Sequence, residues 1–283
     1  MTLTQVYLQG KKLLNEAGVA SPAFDAMCIF KFCFGFDRQE LILRGNDNIA
    51  DEKKSAKFFE LIAQRAKGRP LQYILGSWAF MDIEFKVGEG VFIPRDDTEV
   101  LVSKVLALIK SIKKPKILDL CAGPGTIAIT LSKYRSDASI FAVELSDVAL
   151  RYLRENMSLN GVENLIPLRF DVLLDADKFN FEGFDIIVSN PPYIATSELK
   201  NLQKEVLNEP RMALDGGSDG LMFYRTITED WIKFLSNGGY VAVEVGLGQA
   251  LAVADIFKAA SLREIEVIRD LNNIERVVIA KKP

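Results

Sequence analysis

The chain contains no histidine. This excludes Ser-His and Cys-His nucleophilic catalysis and the histidine-ligated metal sites, leaving carboxylates, amides, backbone groups or a reactive cofactor to carry any chemistry. Cysteine is sparse: Cys28, Cys33 and Cys121 form an odd set without Cys-x-x-Cys spacing. Neither a disulfide framework nor a zinc site is indicated, no metal is expected, and Cys28 and Cys33 are expected to pack as small core residues. No apolar run approaches the roughly 18–20 residues a membrane span requires, and no charged-then-apolar leader opens the chain. The expectation is a cytoplasmic protein with no membrane contact. Basic charge is not in excess, with 35 Lys and Arg against 38 Asp and Glu, so no stable nucleic-acid binding is expected. The first 80 residues carry eleven Lys or Arg against eight Asp or Glu, which leaves the remainder acidic. A basic small module suits docking of an acidic partner, or reflects no more than solvated helix faces.

What is present is an ordinary globular composition, 49% apolar and 26% charged over 283 residues, enough for two domains or one large one. Residues 1–70 read as short helices. Ser21-Pro22 opens one and Gly35 ends it, Asp37-x-x-Glu40 and Asp51 supply later starts, and Gly68-Arg69-Pro70 breaks the last. Over residues 71–93 the pattern changes to period two. Ile83, Phe85 and Val87 alternate with Glu84 and Lys86, Gly88 and Gly90 supply a turn, and Val91-Phe92-Ile93 follows, which predicts a linking β-hairpin. A helix then opens at Pro94 to Glu99, with Asp96 and Glu99 spaced as a capping box and Leu101, Val105, Leu108, Ile109 and Ile112 on one face. Arg95 and Glu99 read there as capping and surface charge.

Lys116 to Ile129 runs strand, glycine-bearing turn, helix, the first βα unit of a nucleotide-binding sheet. The spacing Asp119-x-Cys121-x-Gly123-x-Gly125 fits the turn of an adenosyl-methionine site better than the dinucleotide pattern, which needs a third glycine. A second strand, Ser139 to Glu144, ends in a carboxylate able to accept from both hydroxyls of a ribose, or to form a salt bridge. The helix Asp147–Asn160 and a third strand, Leu168 to Val172, follow, with Asp171 placed to accept from an adenine amino group and Val172 beside the ring. The fourth strand, Phe184 to Ser189, stops at Asn190-Pro191-Pro192-Tyr193. Two successive prolines can neither donate to a ladder nor enter a helix. They make a stiff, acceptor-rich ledge at the carboxyl edge of the sheet, where such sheets bind ligands. The Asn190 amide oxygen and a neighbouring carbonyl can accept both hydrogens of a planar –NH2 group lying against the Tyr193 ring. The other reading of Asn-Pro-Pro is an ordinary turn. A long loop, Glu209 to Leu221, a helix from Phe223 to Leu235, and strands at Tyr240 to Val245 and Glu275 to Ala280 complete an alternating series of about seven strands, a doubly wound α/β sheet.

With these motifs assembled, the chain resembles the PrmC/HemK family, the protein-(glutamine-N5) methyltransferases of peptide-chain release factors. The resemblance rests on Arg69-Pro70-Leu71-Gln72-Tyr73-Ile74-Leu75-Gly76, Ile93-Pro94-Arg95-Asp96-Asp97-Thr98-Glu99, Ile117-Leu118-Asp119-Leu120, Val188-Ser189-Asn190-Pro191-Pro192-Tyr193-Ile194, and Glu209-Pro210-Arg211 with Asp215-Gly216-Gly217. It implies a class I fold dependent on S-adenosyl-L-methionine (AdoMet), with S-adenosyl-L-homocysteine as product. It also implies three parts: a release-factor-docking helical domain (1–70), a β-hairpin linker (71–93) and a methyltransferase domain (94–283). Carried over by position, the turn Cys121, Ala122, Gly123, Pro124 and Gly125 would cradle the methionine end of AdoMet, with Asp119 counted in the same site. Glu144 would take the ribose, and Asp171 and Val172 the adenine. Asn190, Pro191, Pro192 and Tyr193 would bind the amide of the glutamine in a Gly-Gly-Gln motif. Asn190, Pro191 and Tyr193 would be catalytic, and Asn190 would also touch the cofactor. The family usually has glycine where Cys121 stands and aspartate where Glu144 stands. Cys121 is small enough for the turn if its φ is negative, and the expectation is altered affinity without loss of binding. Asn-Pro-Pro-Tyr also resembles the motif of adenine-N6 DNA and guanine-N2 RNA methyltransferases, so an amino methyltransferase of nucleic acid is the alternative. A non-catalytic module binding AdoMet or a release factor is another.

Overall fold

The computed structural model describes residues 1–283, and the chain divides into two compact units. The first comprises Met1–Ser77 and Gln203–Asn208. Its helices are α1 (Leu3–Glu16), α2 (Pro22–Phe34), α3 (Arg38–Arg44), α4 (Glu52–Ala66) and α5 (Leu71–Leu75). The starts lie where capping chemistry puts them. Thr2 and Asp37 each form a full capping box, Asp51 accepts from two first-turn amides, and Pro22 occupies the first turn of α2. Gly35 ends α2 in the left-handed conformation (φ 79°), which glycine adopts without a Cβ penalty. Phe30, Phe34 and Phe58 fill the centre, with Phe30 and Phe34 stacked at 4.6 Å. Arg65 is buried and paired with Asp25 (2.6 Å) and Glu205. Burial pushes the Asp25 carboxyl up while Arg65 pulls it back down. Cys28 and Cys33 are half-buried rather than core. The helical part also continues past residue 70, because α5 occupies the start of the expected hairpin.

The second unit comprises Trp78–Leu202 and Glu209–Pro283. Its hairpin is shorter than the alternation implied: β1 (Ser77–Phe80) pairs with β2 (Ile83–Lys86), and Val91 to Ile93 is not a strand. The turn falls at Met81 (φ 53°). Gly88 and Gly90 instead permit close approach, since a Cβ there would meet the Tyr152 hydroxyl and the Val148 side chain. The rest is a seven-stranded sheet in the order β5-β4-β3-β6-β7-β9-β8. Its strands are β3 (Lys116–Leu120), β4 (Ser139–Glu144), β5 (Leu165–Arg169), β6 (Phe184–Ser189), β7 (Leu235–Glu244), β8 (Arg263–Arg269) and β9 (Glu275–Lys281). All pairings are parallel except those of β9. The doubly wound, seven-stranded class I methyltransferase fold is therefore present.

Alternation along each buried strand feeds two cores. Ile117, Ile140, Ile186 and Ala242 face one layer, which includes α6 (Thr98–Leu108), α7 (Thr126–Tyr134) and α8 (Asp147–Asn160). Leu118, Phe141, Ile187 and Val241 face the other, with α9 (Met222–Thr226), Trp231 and α10 (Ala250–Ala259). Chain order reverses between β3 and β6, which opens a crevice beyond their carboxyl ends. Three local expectations need correction. β5 ends at Arg169 because Asp175 and Asp171 accept from the amides of Asp171 and Leu173, turning the chain out of the ladder. The capping box at Asp96 and Glu99 does not form: Glu99 accepts from the Met81 amide (3.1 Å), and backbone carbonyls of Arg95 and Asp96 serve the first amides of α6. The long helix after Leu221 is α9 followed by a π-helical turn, Ile227–Trp231, and a 3-10 turn.

Candidate active site

A cavity of about 440 Å³ lies at the carboxyl ends of β3, β4 and β6, a volume suited to a small-molecule ligand. Its walls bring together Cys121, Ala122, Gly123, Pro124, Glu144, Asp171, Val172, Asn190, Pro191, Pro192 and Tyr193.

At one end the turn after β3 is closed by backbone bonds: Ala122 N–H donates to the Val143 carbonyl (3.0 Å) and Gly125 N–H to the Ala122 carbonyl (2.9 Å). The tightness forces positive φ at Cys121 (61°), Gly123 (57°) and Gly125 (90°). Cys121 therefore stands in the left-handed region, so the condition of a negative φ is not met, at a cost of roughly 1–2 kcal/mol for a non-glycine residue. The Glu144 carboxylate accepts from the Gly123 amide (2.8 Å) and the Ser146 amide (2.7 Å). Burial raises its pKa while these amides lower it. Each oxygen keeps lone-pair capacity for two vicinal hydroxyls. Asp171 and Val172 lie on the wall beside Phe170.

Two residues counted in this site are not on the wall. Asp119 is fully buried in β3; its Oδ2 accepts from the Ala128 amide (3.1 Å), which fastens α7 to the strand, and its Oδ1 has no partner. Burial pushes that carboxyl well above the usual range. Gly125 is displaced from the wall too, because its missing Cβ makes room for Ile129 and Leu153.

At the other end Asn190 donates through Nδ2 to Thr98 Oγ1 (3.2 Å), and Thr98 Oγ1 donates to Glu244 Oε2 (2.6 Å). Gln249 Nε2 donates to the Tyr193 carbonyl (2.8 Å). Gly216 N–H donates to the Ile194 carbonyl (2.8 Å), which ties the ledge to the loop after it. Burial, reinforced by the Glu244 charge, pushes the Tyr193 phenol up to about 12, so it stays neutral and supplies a wall rather than a base. Glu209 is buried, accepts from the Ile93 amide (3.0 Å) and pairs with Arg95, which ties together the segments carrying Pro94 and Pro210 of the cavity wall. Thr98, Glu244 and Gln249 were not singled out from the sequence. Glu244 carried a signal nonetheless, being an acid that ends an apolar strand as Glu144 does.

Residues 5–76 match the PrmC N-terminal domain and residues 83–225 the methyltransferase small domain. The release factor glutamine methyltransferase of Thermodesulfovibrio yellowstonii is 44% identical over 225 residues, 78% of this chain and 80% of that protein. The protein of the same name from Clostridium botulinum is 34% identical over 284 residues, with 100% of each covered. Among solved structures, the hMettl16 catalytic domain in complex with a MAT2A 3'UTR hairpin superposes with a TM-score of 0.58 at 16% identity, over 78% of this chain and 82% of that one. The T. thermophilus 16S rRNA N2 methyltransferase RsmC, in complex with AdoMet and guanosine, gives 0.52 at 18% identity over 73% of this chain and 50% of that one. These structural likenesses speak to the fold alone.

Proposed function

The chain belongs to the release factor glutamine methyltransferase family, and from that premise we propose that it transfers a methyl group from AdoMet to the side-chain amide nitrogen of the glutamine in the Gly-Gly-Gln motif of peptide-chain release factors. The observation that carries the proposal is 34% identity, over the full length of both chains, to a protein of that name. The Asn190 ledge in the wall of the cavity supports it. Location in the cytoplasm goes with the same proposal, and no helix is long and apolar enough to cross a membrane.

Bound in the cavity, AdoMet supplies an electrophilic methyl on sulfonium. The turn from Cys121 to Pro124 would hold its amino-acid end, Glu144 would accept from the ribose hydroxyls, and Asp171 with Val172 and Phe170 would border the adenine. The acceptor is a poor nucleophile, since its lone pair is delocalised into the amide carbonyl. Asn190 turns its –NH2 group toward Thr98 and Glu244, leaving Oδ1 as an acceptor for the cavity. Together with the Pro191 carbonyl, Oδ1 takes the two N–H groups of the glutamine amide, fixing the nitrogen and favouring the positive charge it develops. Pro192 stiffens the ledge, and the neutral Tyr193 ring forms its flat side. Once methylated, the nitrogen is strongly acidic and gives its proton to water, so no strong base is needed first.

The test is transfer of labelled methyl from AdoMet to a purified, unmodified release factor, beside the same factor with the Gly-Gly-Gln glutamine replaced. Label on the first and none on the second is the expected result. Label on DNA or RNA in place of the factor would overturn the proposal.

A further inference from the structure

Three polar side chains from separate parts of the second unit meet behind the ledge: Asn190 after β6, Thr98 at the first position of α6, and Glu244 at the end of β7. Thr98 and Glu244 are 3% exposed. A threonine hydroxyl has one hydrogen and two lone pairs. With its hydrogen given to the Glu244 carboxylate, Thr98 can only accept from Asn190, so Asn190 must present its –NH2 to Thr98 and its oxygen elsewhere. The donor sequence thus has a direction, and the carboxylate sets it.

We infer that Glu244, acting through the Thr98 hydroxyl, is a positioning residue that holds the Asn190 side chain with Oδ1 toward the acceptor amide. The inference rests on the proposed amide methylation, because only an amine or amide donor requires an acceptor at that point. Reversal of the relay would put –NH2 against –NH2 and block the attack geometry. Reversal has a natural trigger. Burial, reinforced by Asp97 and opposed by hydrogen bonds from Thr98 and directly from the Asn190 amide and by the Arg276 charge, pushes the Glu244 carboxyl up to about 7. The groups facing it are Asp97 just before α6, Thr98 on α6, Asn190 and Tyr193 on the ledge, Arg276 on β9, and the Tyr224 hydroxyl of α9, which donates to its backbone carbonyl (2.9 Å). When protonated, Glu244 can donate to Thr98, free the hydroxyl hydrogen for Asn190 Oδ1, and turn the amide. Turnover therefore falls on the acid side of that value.

The experiment uses the full chain with Thr98→Val, which keeps the shape and removes the hydroxyl, and Thr98→Ser, which restores it. Thr98→Val is expected to lower kcat on the release factor by about 10–100-fold, as loss of an orienting partner does elsewhere, and to flatten the acid limb of the pH profile. AdoMet affinity should change little, the melting temperature should fall by a few degrees because a buried carboxylate loses its donor, and Thr98→Ser should recover kcat, the acid limb and the melting temperature. Unchanged turnover in Thr98→Val, or AdoMet affinity falling in step with kcat, would overturn the inference. Solvent exchange of the Asn190 carboxamide hydrogens, followed by NMR without any acceptor, separates this outcome from failure of the release-factor reaction itself. Slow exchange in the wild type and fast exchange in Thr98→Val supports the relay; equal rates in both contradict it even where the factor is methylated.

Discussion

The two ends of the cavity are built on different physical terms. The end beneath β3 and β4 is made by backbone: a tight turn with three consecutive odd positions at positive φ and a carboxylate fastened to two main-chain amides. The end beyond β6 is made by side chains, with Asn190, Thr98 and Glu244 in one directed series and Gln249 on the Tyr193 carbonyl. Backbone geometry survives a change of residue as long as φ can be met, and both departures from the usual family pattern, Cys121 and Glu144, lie at that end. A directed series fails when any member is replaced by a group of different hydrogen-bonding sense. The first end should govern cofactor affinity and the second turnover.

Four changes break or sharpen that contrast. Asn190→Ala should lower kcat by about 100–1000-fold, the scale of losing a preorganised charge-stabilising group, while calorimetry finds AdoMet binding within a few-fold of wild type. Glu144→Ala leaves two turn amides without their acceptor, and should weaken AdoMet binding by about 10–100-fold with a smaller effect on single-turnover rate at saturation. Gly216→Ala places a Cβ 2.8 Å from the Pro192 carbonyl oxygen and the Tyr193 Cα, so the ledge must shift. Overpacking of this kind costs about 1–3 kcal/mol, read here as a KM for the release factor roughly tenfold higher with AdoMet affinity unchanged. The smallest effect is at Cys121. At an ordinary position alanine outranks glycine, but at φ 61° glycine escapes the left-handed penalty, so Cys121→Gly should melt about 2–3 °C above Cys121→Ala. The usual order would show that the turn does not impose its geometry on the residue.

The same two ends differ in how far the sequence discloses them. The glycine turn, the strand ending at Glu144 and the helix Asp147–Asn160 are local patterns, and local hydrogen bonding decides them. The prolines after Ser189 likewise announce the ledge, because their effect does not depend on distant partners. Thr98 reads as one residue of a helix start, and its partner is 146 positions away, so nothing near it in the chain reveals the contact. Glu244 and Glu144 share one sequence signature, an acid closing an apolar strand. Only packing separates them, leaving Glu144 on the cavity wall and Glu244 buried behind it. The displaced hairpin has the same origin: Gly88 and Gly90 look like turn glycines, but α8 claims the space their side chains would need.

The most direct measurement is to locate the transferred methyl group by fragment mass spectrometry of a release factor after reaction with AdoMet and this protein. The account predicts one methyl on the side-chain nitrogen of the Gly-Gly-Gln glutamine, absent when Asn190→Ala replaces the wild type. A methyl on any other atom of the factor, or equal modification by Asn190→Ala, would contradict it.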